Sequence, residues 1–216
     1  MRKSKIKKVI TVSFISLFII QFIYISVVEP VAVDAATAAD SVIVSLTVDA
    51  GITITSPADV TMAPNMGVAA NGSIGSAIWN VKTNNAAGYT LAVKASTSPA
   101  LVSGSNNFAD YTEAVNGTPE LWSVPASNKE FGFSAYGSDT ATATWGTSAS
   151  CGAAGVPAAA QKYVGFELTD KTISTSNTVT TTSGTNTTVC FAAEQDTVYA
   201  PSGVYTATVT ATATTL

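Results

Sequence analysis

The chain has no histidine in any of its 216 residues, and that absence removes every mechanism built on imidazole, from a Ser-His-Asp triad to a His-ligated zinc centre. Charge is scarce too: 11% of residues are charged, against about 25% in an average globular chain. Arginine occurs once, at Arg2. From Asp40 onward the only basic residues are Lys82, Lys94, Lys129, Lys162 and Lys171, set against twelve carboxylates for a net charge of −7. Nucleic-acid binding and attraction to an anionic lipid surface both need clustered cations, so neither is expected. There are two cysteines, no G-x-S-x-G, and no glycine-rich phosphate cradle ending in Lys-Ser/Thr. No metal and no cofactor is expected.

What is present begins with an export signature. Arg2, Lys3, Lys5, Lys7 and Lys8 precede an apolar run over 9–28, followed by small residues over 29–39 with A-x-A-like cleavage options before Ala36 or Asp40. The run is longer than a usual signal core and could span a bilayer as a helix. Residues 1–39 therefore read as a signal peptide or an N-terminal membrane anchor built on a hydrophobic helix. Both place residues 40–216 outside the cytoplasm, secreted or at the cell surface, with the membrane reached only through the N-terminal segment. In that setting Cys151 and Cys190 read first as one disulfide, with two buried free thiols as the alternative. Closing such a loop stabilises by roughly 3–4 kcal/mol.

Beyond Asp40 the hydropathy alternates with period two, the mark of strands with one buried face. The clearest runs are 41–48 (SVIVSLTV), 77–83 (AIWNVKT), 89–95 (YTLAVKA) and 204–212 (VYTATVTAT). Shorter ones lie at 52–55, 59–62, 131–136, 163–168 and 187–192. The link Asn84-Asn85-Ala86-Ala87-Gly88 between two of them predicts a hairpin. Trp79 and Tyr89 fall at core positions. Thirty threonines from Asp40 onward supply β-branched residues for half-exposed strand faces. The fold class is all-β: an antiparallel β-sandwich, Ig-like or jelly-roll-like, of about eight or nine strands in a single domain over 40–216. The runs 41–48 and 204–212 are expected near sheet edges. The Ser/Thr/Asn stretch 172–186 reads as an exposed hairpin or loop.

One long inserted loop, about 96–130, breaks the strand rhythm and carries Phe108, Tyr111 and Trp122. These rings are candidate ligand or partner contacts, because aromatic side chains give large rigid contact area. The competing expectation is that they plug the insertion onto the body. Asp110, Glu113, Glu120 and Glu130 lie in or beside the same segment, and paired carboxylates can hydrolyse glycosides. Solvating loop charges are the simpler expectation, and no residue is assigned a catalytic role.

The segments 48–62, 79–95 with Gly88-Tyr89-Thr90-Leu91, and 200–213 (APSGVYTATVTATA) resemble secreted bacterial β-sandwich surface proteins. The nearest comparisons are WxL-type cell-wall-binding domains and fimbrial or spore-coat-like domains. The tryptophans stand in Trp79-Asn80-Val81, Trp122-Ser123-Val124 and Trp145-Gly146-Thr147, none of them W-x-L. The resemblance implies an extracellular β-sandwich whose partners are cell-wall polysaccharide or neighbouring surface protein subunits.

Three functions follow in order of preference. The first is a non-enzymatic, structural or adhesion-type surface protein presenting loop 96–130. The second is a carbohydrate- or cell-wall-binding module using the loop aromatics. The third is a carboxylate-dependent glycoside hydrolase.

Overall fold

The computed structural model describes residues 37–69 and 71–216. The expected signal or anchor helix lies outside them. Among the described residues the chain is almost entirely β. Its strands are β1 (Ile52–Thr55), β2 (Gly72–Thr83), β3 (Tyr89–Ala95), β4 (Leu101–Ser103), β5 (Asn106–Asp110), β6 (Glu120–Leu121), β7 (Lys129–Gly137), β8 (Gly152–Ala153), β9 (Val156–Pro157), β10 (Lys162–Gly165), β11 (Lys171–Ser176), β12 (Thr185–Gln195) and β13 (Val209–Thr215). One short helix, α1, covers Thr142–Trp145.

The large sheet runs β1-β2-β12-β7-β10-β6, with β4 and β5 attached through a short parallel pairing of β5 with β7. A small sheet runs β11-β3-β13, and β8 with β9 forms a separate hairpin. All other pairings are antiparallel. The two main sheets share one core. Trp79 and Val81 of β2, Phe131, Phe133 and Ala135 of β7, and Val189, Phe191 and Ala193 of β12 meet Tyr89, Leu91 and Val93 of β3 and Ile173 of β11. Phe131, Phe166 and Phe191 stack within it, and Phe133 lies tilted against Phe166 at 4.5 Å and against Trp145 of α1 at 5.6 Å.

Successive strand residues point to opposite faces, so Cys190 and Ala192 of β12 face away from that core. They join Tyr111 and Tyr163 in a second apolar cluster, with Ile74, Trp122, Tyr136 and Cys151 packed against it. β12 is thus buried on both faces, which is why Val189-Cys190-Phe191-Ala192-Ala193 is an unbroken apolar run rather than an alternating one.

Several expectations need correction. β2 and β3 do not form a hairpin; they lie in different sheets. Their alternation marks which side chains enter the core, and the two strands enter it from opposite sides. The stretch 172–186 is not a free loop, because β11 occupies its first part, with Ile173 fully buried, and β12 begins at Thr185. Residues 59–62 form no strand. Flanking Pro57 and Pro64 cannot donate to a ladder, so Val60 and Met62 pack against the core from irregular chain held by one Ala63–Ile74 bridge. The last strand begins at Val209, with Thr206 bridged singly to Val102 before it. The run 41–48 takes part in no strand at all. A strand exists only where a neighbour completes its hydrogen-bond ladder, and no described element does so here.

Candidate functional site

The segment 96–130 is internally built and fastened down. β4 and β5 pair with each other, β5 lies along β7, and β6 pairs with β10. Phe108 is 1% exposed and sits edge-on to Tyr205 with ring centroids 5.2 Å apart. Tyr111 is 3% exposed and stacked on Trp122 at 4.5 Å; Trp122 in turn stands edge-on to Tyr163 at 5.2 Å. Two of the three candidate contact rings therefore lie in the interior, and the third leans on them half-buried.

Glycine makes the seat for this stack. Gly132 of β7 and Gly165 of β10 are register partners on the face under Tyr111. A Cβ on Gly132 would lie 2.8 Å from the Tyr111 Cβ and 3.1 Å from the Trp122 ring, and one on Gly165 would run into the Tyr111 carbonyl oxygen. Only bare backbone at both positions lets the insertion lie flat on the sheet.

Polar groups lock the arrangement. The Trp122 indole N–H donates to Glu194 Oε2 at 2.6 Å. The Tyr111 hydroxyl faces the Leu121 carbonyl at 3.1 Å and Glu120 Oε1 at 3.3 Å, and accepts from the Ser123 N–H. Burial, aided by the nearby Glu120 charge, pushes the Tyr111 phenol up to about 12. Burial also raises Tyr163. Asp110 accepts from the Ala100 N–H at 2.9 Å and the Ser98 hydroxyl at 2.7 Å. Glu113 accepts from the N–H groups of Gly165 and Gly117, and the Lys171 ammonium donates to the Gly117 carbonyl. Glu130 is 1% exposed; it accepts from Asn128 at 3.1 Å through one oxygen, while the other has no partner. Its carboxyl is raised above the usual range by burial, with Glu113 adding to the effect. Each of the four carboxylates is thus engaged with the chain's own backbone or side chains.

Cys151, just before β8, is bonded to Cys190 on β12 with Cα atoms 5.2 Å apart. The bridge ties the β8-β9 region to the central strand, and the Tyr163 hydroxyl donates to the Cys151 carbonyl beside it. Sequence reasoning missed Glu194, 72 residues from the indole it binds. It also missed Gln161 and Gln195. Buried Gln161 donates to Ser134 Oγ at 2.6 Å and the Ala135 carbonyl at 2.8 Å; Gln195 clamps Gly67 and Ala200. Nothing in their local sequence distinguishes these residues from surface ones.

Two features face outward. A shallow hollow of about 390 Å³ between β1 and the 180–182 turn is lined largely by threonine, with Lys82 the one charged side chain. The other is the open side of β13, the last strand of the small sheet.

No family model, no curated protein and no solved structure matches this chain.

Proposed function

We propose that this chain is an exported, non-enzymatic structural or adhesion-type protein of the cell surface or extracellular space. Its two sheets serve as an Ig-like or jelly-roll-like β-sandwich scaffold, and the segment 96–130 is a display surface held rigidly upon it. One observation carries the reading: the aromatic rings and carboxylates that could have done chemistry in that segment are spent on fastening it, as in Tyr111–Trp122–Glu194. What the segment offers outward is the polar turn 104–107 and the stretch 114–118 around Val115. The buried Cys151–Cys190 bridge supports an oxidising compartment. The excess of carboxylates over lysines suits a soluble, weakly sticky surface protein.

The test is whole-cell protease accessibility combined with retention on cell-wall polysaccharide. Accessibility at the surface or recovery in the medium, without retention on glycan, supports a structural role. Retention that is lost in Trp122→Ala would replace it with a carbohydrate-binding one. Protection from protease in intact and wall-stripped cells alike would overturn the surface reading.

A further inference from the structure

The stretch 41–48 carries the strongest unspent strand signal in the chain. Val42, Ile43, Val44, Leu46 and Val48 are 71–91% exposed, and the segment joins no ladder. Five large apolar side chains within seven residues are costly to leave in water, and a β-prone segment with unpaired backbone is a template for association.

The small sheet supplies a matching vacancy. β13 pairs with β3 on one side and, among the described residues, with no strand on the other. The Leu216 N–H donates to the Gly88 carbonyl, and the Thr208 carbonyl accepts from the Ser96 N–H, so even-numbered residues of this strand bond toward β3. Antiparallel pairing alternates sides, so Val209, Ala211, Ala213 and Thr215 present their N–H and C=O groups to the open edge. The same residues point their side chains at the core, yet they are only half-buried, whereas Leu91 and Val93 beside them on β3 are fully buried. Three strands cover one side of a core that eight cover on the other. Ala211 and Ala213 carry only small side chains there.

We propose that residues 42–48 of one copy add as a strand to the open edge of β13 in a second copy, with Val42, Val44, Leu46 and Val48 turned into the core. Donor and acceptor are each seven residues long, about 24 Å of strand. The inference rests on the structural reading above and names its partner. The contact is head-to-tail, each copy donating one strand and receiving one, so it propagates into open chains unless it closes as a ring.

The test uses the purified exported protein, read by light scattering and electron microscopy. Wild type is expected to form linear or ring assemblies. The donor variant Val44→Lys/Leu46→Lys alters only exposed side chains and is expected to be monomeric with unchanged circular dichroism. The acceptor variant Ala211→Pro removes one edge-facing N–H without touching the β3 ladder and is expected to lose assembly likewise. Mixing the two variants restores one intact interface and yields a 1:1 heterodimer. A wild type that stays monomeric at every concentration, or variants that assemble as wild type does, would overturn the proposal. A protein that is surface-exposed but monomeric would defeat this inference alone and leave the structural reading standing.

Discussion

Trp122 and Glu194 meet at 2.6 Å across 72 residues of chain, and their bond joins the inserted segment to the end of the central strand β12. The indole N–H would otherwise be stranded on a half-buried ring, and the carboxylate makes the bond charge-assisted. Trp122→Ala is expected to cost about 3 kcal/mol and Glu194→Ala roughly 1.5–3 kcal/mol in urea unfolding. The double variant should fall short of their sum by about 1 kcal/mol or more, because the two residues share one interaction. Additive losses would show that the bond is incidental.

Replacing both cysteines, as in Cys151→Ala/Cys190→Ala, removes a cross-link between residues 39 apart in sequence. The expected loss is about 4 kcal/mol, measured by denaturant midpoint. Because Cys190 is fully buried, reductant should open the bridge in the native protein slowly, and far faster once denaturant is added.

Burial raises the Glu130 carboxyl, so the folded chain holds that proton more tightly than the unfolded one. The group's contribution is fully present at acid pH and is lost as pH climbs from the ordinary glutamate range through the folded value. Glu130→Gln keeps the bond from Asn128 and removes the charge. The variant should melt higher than the parent at neutral pH and equal to it near about pH 3. A lower melting temperature at neutral pH would show that the carboxylate is stabilising as an ion.

Gly132→Ala places a methyl group 2.8 Å from both the Tyr111 Cβ and the Val164 carbonyl oxygen. Backbone cannot yield there, so a loss of about 1–3 kcal/mol is expected. Hydrogen exchange should speed up across 108–123 while the β3-β11 pairing keeps its protection. Uniform loss of protection would mean that the insertion is not a separable layer.

The strands that alternate strictly were legible: β3 lies at 89–95 as its YTLAVKA pattern requires, and Trp79, Val81, Leu91 and Val93 enter the core as their parity dictates. Pairing was not legible. Parity says which side chains are buried and nothing about which strand lies alongside, so β2 and β3 looked like a hairpin while facing each other across the core. β11 was hidden because Ile173 is its one large apolar residue, and threonine reads equally well as loop or strand. The disulfide was readable from two cysteines that follow an export-like leader pattern. The lock on the insertion was not: Gly132, Gly165, Trp122 and Glu194 come together only through long-range topology. The run 41–48 shows the converse, a strand pattern with no strand, because propensity needs a partner edge to act on.

The most direct measurement is the intact mass and N-terminal sequence of the protein recovered from its native host, fraction by fraction. The chain is expected in the medium, wall or membrane fraction, beginning near Ala36 or Asp40 if the leader is cleaved. Its mass should fall short of the fully reduced value by two hydrogens, the mark of the Cys151–Cys190 bridge. A full-length chain in the cytoplasmic fraction with both thiols free would contradict it.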